Sequence, residues 1–162
     1  MAISFPTDSN FLEPGIHPAS VDEVEAALVV EFNASTTRRQ IFDEWIELRA
    51  CICEIVVLGR QWVNGSFVSR KRDPTDIDVA TFLDADEVEE LDAAHQDTLN
   101  SLMGSRSTAG FPRCDSFAIV EYPEGHPIYE ASVQTKQVFE TTFYGFDRDT
   151  CVAKGFIEVA AA

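Results

Sequence analysis

At 162 residues the chain fits one domain that buries roughly 70% of the surface its unfolded form exposes, so it needs no disulfide or metal staple. Apolar residues make up 45% of it, with two Trp and twelve Phe, a composition that excludes a disordered chain. Twelve Lys and Arg stand against 28 Asp and Glu, a net charge of −16 with no broad basic face, which argues against a general nucleic-acid binder.

Residues 1–14 hold no Lys or Arg and no long apolar run, and no run of 18 apolar residues occurs anywhere, so neither a secretory signal nor a membrane span is expected. Cys51, Cys53, Cys114 and Cys151 have neither zinc-site spacing nor a neighbouring His set. They read as free thiols in a reducing compartment, and the expected location is the cytoplasm. No internal repeat is visible.

Residues 1–19, with scattered Pro and Gly, read as an arm laid over a single domain of residues 20–162. Ser20-Val21-Asp22-Glu23 is a capping box and opens a helix expected to reach about Phe32. A second helix follows, with Ile41, Phe42, Trp45, Leu48, Ile52, Ile55 and Val56 at spacings of three and four, and Gly59 as its stop. Arg38 and Arg39 open that helix against its dipole, which points to an ion-pair partner or an anion nearby.

Trp62-Val63-Asn64 is a short strand that ends in Gly65-Ser66, and residues 76–83 alternate as a second strand. Asp84 begins another helix, whose apolar stripe of Val88, Leu91, Leu99 and Leu102 includes His95 as a core residue. Residues 104–112 read as a loop, 114–122 (CDSFAIVEY) as a third strand, 127–139 as a helix and 156–159 as a last strand. The order gives an α/β or α+β fold, a small mixed sheet with helices mainly on one face.

The chemistry concentrates in residues 62–82, WVNGSFVSRKRDPTDIDVATF. Glycine lets main-chain N–H groups approach a phosphate closely, and the Ser66 hydroxyl adds a donor. Asp76 and Asp78 alternate along a strand, so both carboxylates share a face while Ile77 and Val79 point into the core. Two carboxylates beside a phosphate grip suit Mg²⁺, which takes one or two carboxylates plus phosphate oxygens and water. Nine residues separate Ser66 from Asp76, enough for the chain to leave one strand and return beside it. Arg70 and Lys71, in that loop, are candidates for phosphate contact.

Gly65-Ser66, nine residues, then Asp76-x-Asp78 resembles the signature of the polymerase-β-like nucleotidyltransferase superfamily. The small bacterial minimal nucleotidyltransferases are nearest in size. The wider frame of FLEPGIHPASVDEV, WVNGSFV, DIDV and FYGFDRDTCVAKGFIEV is similar to a bacterial nucleotidyltransferase-like family of uncharacterised proteins. The resemblance implies a third carboxylate on a later strand, and Asp115 is the candidate, ahead of Glu121 at the strand's other end.

It also implies the activity: Mg²⁺-dependent transfer of a nucleoside monophosphate from a nucleoside triphosphate such as ATP to a hydroxyl. Asp76, Asp78 and Asp115 are then the catalytic and metal-holding residues for one or two Mg²⁺ ions. Gly65, Ser66, Arg70 and Lys71 bind the nucleotide. The acceptor is a residue on a partner protein, as in toxin–antitoxin pairs. Two rival readings stay open: a catalytically degenerate nucleotide-binding or protein-interaction module on the same fold, and a purely structural protein. Tyr144, Arg148 and Lys154, in the C-terminal run, close over the base, bind a partner, or form a loop on the sheet edge.

Overall fold

The computed structural model describes residues 3–104 and 110–160. It is a small α/β fold on a mixed five-stranded sheet ordered β1-β5-β2-β3-β4, made of β1 (Gly15–Ala19), β2 (Gln61–Asn64), β3 (Ile77–Asp84), β4 (Cys114–Glu121) and β5 (Gly155–Val159). β2 is antiparallel to both neighbours, whereas β1 runs parallel to β5 and β4 parallel to β3. The helices are α1 (Val21–Glu25), α2 (Arg38–Cys53), α3 (Ala85–Glu90), α4 (Ala93–Leu102) and α5 (Tyr129–Val138), with π-helical turns continuing α1 and α5.

The pleat divides the sheet residues between two cores. Val63, Ile77, Val79, Leu83 and Ile157 face the larger one, which takes the buried stripe of α2 (Ile41, Phe42, Trp45, Leu48, Ile52) and Leu99 and Leu102 of α4. Trp62, Ala80, Phe82, Ile119 and Phe156 face the other way, into a smaller aromatic cluster closed by Phe139 and Tyr144. Rings of Trp62, Phe82 and Phe156 meet at tilted or edge-on angles with centroids 4.7–4.9 Å apart. α5, which buries no residue fully, leads into the π-helical turn Phe139–Tyr144 that delivers Tyr144 to this second face.

Several elements differ from what the pattern suggests. Residues 15–19 are not part of an overlying arm but the edge strand β1, tolerant of Pro18 because an edge can spare a ladder donor. The Ser20–Glu23 capping box forms as expected. α2 stops at Cys53, not near Gly59, because Ile55, Val56 and Val57 are β-branched and lose χ1 freedom in a helix. The helix after Asp84 breaks at Leu91, and Asp92 caps a new one by accepting from the His95 amide at 2.9 Å. That break resets the helical phase. His95 is therefore exposed and paired with Asp92, not a core residue. The loop expected over 104–112 falls mostly outside the described residues.

The four cysteines are free, with Cys114 buried and Cys53 and Cys151 exposed. Among the described residues, no helix is long and apolar enough to cross a membrane.

Candidate functional site

Asp78 and Asp115 are register partners across the parallel β3–β4 pair, and Asp76 stands one residue before β3. Ile77 and Val79 are fully buried on the opposite face, which turns Asp78 toward the aromatic side of the sheet. The register at this end is pinned twice. Ile77 donates its amide to the Arg113 carbonyl at 2.9 Å, and Glu44 of α2 accepts from both the Arg113 amide and its guanidinium.

On the other side of β3, Asn64 pairs with Asp78 and the chain turns at Gly65 with φ +80°. A Cβ there would lie 2.7 Å from Asp78 Oδ2, so only glycine admits this close approach. A 3₁₀ turn, Ser66–Val68, follows, anchored by fully buried Phe67 and Val68. Ser69 Oγ donates to the Ser66 carbonyl at 2.7 Å. Ser66 Oγ, Asn64 Oδ1 and the Tyr144 hydroxyl are buried polar atoms with no hydrogen-bond partner. Orphans of this kind call for a ligand, water or ion.

The loop after Ser66 is held from below by Arg38. Its guanidinium is fully buried and donates to the carbonyls of Leu28, Phe67, Ser69, Lys71 and Arg72 at 2.6–3.3 Å. It stacks on Phe32 at 3.8 Å, and burial brings its pKa down to about 10, so it stays a cation. The partner expected for this charge is thus a cage of main-chain oxygens, while Arg39 takes an ordinary ion pair with Glu25 at 2.7 Å. The N-terminal segment adds a second brace: Arg70 donates its amide to Asn10 and its guanidinium to Phe5 and Pro6, and Phe11 bridges to Ser69.

The far wall is the segment between Tyr144 and β5. Lys154 is 6% exposed, and burial lowers its pKa against the pull of Asp147 and Asp78. The Asp78 carboxyl is pushed up to about 6, first by burial and then by Asp76 and Asp115, with Arg148 and Lys154 opposing. Tyr144 lies beside this cluster with its hydroxyl held well above the usual phenol range by burial.

These walls enclose an open cavity of about 830 Å³. All seven residues singled out from the sequence, Gly65, Ser66, Arg70, Lys71, Asp76, Asp78 and Asp115, line it. Arg148 and Lys154 add two more cations from the C-terminal wall. Among the described residues, however, no three Asp, Glu, His or Cys side chains are grouped so as to hold an ion by themselves. The donor set still fits Mg²⁺, which keeps several waters and takes substrate phosphates as ligands.

A family model matches residues 3–160, both walls of the cavity included. The chain belongs to DUF6932, a family of unknown function. Comparison with curated proteins gives no match, and neither does comparison with solved structures.

Within this DUF6932 chain Glu121 has no part in the cavity. It stands opposite Asp84 at the other end of β4, where Arg60 pairs with it at 2.7 Å. Sequence reasoning missed the contributions of Asn10, Phe11, Phe146 and Asp147 to the cavity. For the last two the signal lay in the FYGFDRDT run, where aromatic and charged residues alternate outside any strand or helix pattern. Nothing in the sequence marks Asn10 or Phe11, whose place depends on backbone pairing with residues 69 and 70.

Proposed function

We propose that this protein is a Mg²⁺-dependent nucleotidyltransferase that moves a nucleoside monophosphate from a nucleoside triphosphate to a hydroxyl group. The observation that carries the reading is the pairing of Asp78 with Asp115 across β3 and β4, with Asp76 and the Gly65-Ser66 turn lining the same cavity. Asp76 and Asp78 would hold Mg²⁺, and Asp115 would join a second ion or act on the acceptor. The bound metal supplies neutralisation of the charge that develops on the phosphates.

The chain's own groups bind and orient. The Gly65-Ser66 turn grips phosphate, and Arg70, Lys71, Arg148 and Lys154 counter the triphosphate charge. In the reaction, the acceptor oxygen bonds to the α-phosphorus as the bond from that phosphorus to the bridging oxygen breaks. Pyrophosphate leaves with the bonding electron pair, and Asp115 takes the hydroxyl proton. Positioning and electrostatics account for catalysis of this kind. On the resemblance of the Gly65-Ser66 and Asp76-x-Asp78 signature to minimal nucleotidyltransferases, the proposed acceptor hydroxyl is on a partner protein, as in toxin–antitoxin pairs, and the free thiols suit the cytoplasm.

A second reading is a nucleotide-binding module without turnover on the same cavity. Titration with Mg²⁺ and non-hydrolysable nucleoside triphosphates measures binding. Incubation with labelled ATP, GTP, CTP or UTP and cell lysate measures transfer. The transferase reading expects both in the wild type and neither in Asp78→Ala with its fold intact. Binding without transfer selects the module, and a wild type that shows neither ends both readings.

A further inference from the structure

The cavity lining is dominated by charged and polar side chains, and its apolar members are Phe11, Pro112 and Phe146. Phe11 is half-buried under Lys154, whose ammonium sits 5.7 Å from its ring centroid. Phe146 is 46% exposed. A single exposed apolar residue means nothing by itself. Its setting gives this one a meaning.

The segment that carries it is stapled. Phe146 bridges to Ala153, the Asp147 amide donates to the Val152 carbonyl, and the Cys151 amide donates to the Asp147 carbonyl. The Asp147 carboxylate accepts from both the amide and the hydroxyl of Thr150 at 2.9 and 2.7 Å, and the Lys154 amide closes the base onto Gly145 at 2.8 Å. Cys151 takes φ +55°, a conformation unusual for a side chain other than glycine, and this bonding holds it there. Two residues before Phe146, Tyr144 is 2% exposed within an aromatic core that includes Trp62 and Phe156. The fold thus buries one ring and leaves the next exposed at a cavity lined by four cations and five carboxylates.

We propose that Phe146 is the stacking platform for the base of the bound nucleotide, an inference that rests on the nucleotide-binding reading above. A ligand that matches the whole cavity carries phosphates for Arg70, Lys71, Arg148 and Lys154 and a flat π-system for Phe146. Every base has a π-face, so such a platform fixes the base without choosing among bases. It separates nucleoside triphosphates from inorganic polyphosphates and from sugar phosphates, which have no flat π-system to stack.

The test compares the full chain, in Mg²⁺, with non-hydrolysable ATP and UTP analogues and with inorganic tripolyphosphate. Phe146→Ala is expected to weaken both nucleotides by about 5- to 100-fold while tripolyphosphate binds as in the wild type. Phe146→Trp is expected to keep nucleotide affinity. Unfolding by heat shows that the variants keep their fold. The platform is overturned when Phe146→Ala binds nucleotide as well as the wild type does. It is also overturned when tripolyphosphate and nucleotide lose the same factor, since Phe146 then only supports the wall. When the wild type still binds nucleotide through Asp78, that failure is the platform's alone. A wild type that binds neither probe ends the platform and the nucleotide reading together.

Discussion

Gly65 and Asp78 compete for the same space: a Cβ on residue 65 would stand 2.7 Å from Oδ2 of Asp78. The turn that opens the phosphate grip and the carboxylate proposed to hold the metal are therefore one steric unit. Gly65→Ala must adopt φ +80° and ψ −166° with a side chain, at about 1–3 kcal/mol, and push the carboxylate aside as well. Urea denaturation is expected to show a loss somewhat above that figure, and Mg²⁺-dependent nucleotide binding to fall at least about tenfold, near 1.4 kcal/mol. Adding Asp78→Ala to Gly65→Ala should return part of the lost stability, because residues in contact are not additive. Strict additivity in that double variant would contradict the contact.

Asp78 links stability to pH in the direction opposite to most carboxylates. Its carboxyl is pushed up to about 6, against 3.8 for an unperturbed one, so between those values the native chain keeps a proton the unfolded chain has lost. Its contribution therefore falls as pH rises from about 4 to 6 and stays low above. In metal-free buffer Asp78→Asn is expected to match the wild type below pH 4 and exceed it at pH 7 by up to about 3 kcal/mol. Mg²⁺ affinity should run the other way, rising through pH 6 as the proton leaves. Denaturation curves at pH 4 and 7, with and without Mg²⁺, read both effects.

Seven of the residues that line the cavity are legible in the sequence: alternation places Asp76 and Asp78 and a turn needs Gly65, while Asp115 comes from the resemblance, which implies a carboxylate on a later strand. What was not legible depends on distant backbone. β1 is five residues containing Gly15 and Pro18, and becomes a strand only because β5 offers it an edge some 140 positions later. His95 reads as core on a continuous helix, and the break at Leu91 turns it into solvent. Arg38 gives a sign of something unusual, but its partners are carbonyls from two separate stretches, Leu28 and residues 67–72, and carbonyls leave no trace in side-chain patterns.

Arg38 is the residue on which the phosphate-side loop most depends. Arg38→Met keeps much of the volume but strands the carbonyls of Leu28, Phe67, Ser69, Lys71 and Arg72 in a buried setting. Each unsatisfied buried acceptor costs about 1–3 kcal/mol, partly recovered by relaxation and water, so a loss above about 3 kcal/mol is expected. Arg38→Lys should recover little, since an ammonium offers three donors and no planar fork. Hydrogen exchange is expected to speed up at the amides of residues 69–72 before the rest of the domain. A loss below about 1 kcal/mol for Arg38→Met would show that the cage is dispensable.

Lys154 is a buried cation set between Asp147 and Asp78, and its charge is one of two that hold the Asp78 pKa down. Lys154→Met removes that support, and with it the ammonium 5.7 Å from the Phe11 ring centroid, while keeping an unbranched side chain of similar length. The Asp78 carboxyl should then titrate above about 6, which moves the pH midpoint of Mg²⁺ binding upward. Lys154→Arg keeps the charge and should hold the midpoint near the wild type. The same substitution separates electrostatic tuning from phosphate contact. Tuning alone predicts that Lys154→Met recovers full nucleotide affinity at a pH high enough to ionise Asp78. Direct contact with the triphosphate predicts a deficit of at least about fivefold, near 1 kcal/mol, that persists at every pH. Calorimetric titration of the nucleotide at pH 6, 7 and 8 distinguishes the two, and an unchanged midpoint in Lys154→Met would rule out the coupling between these residues.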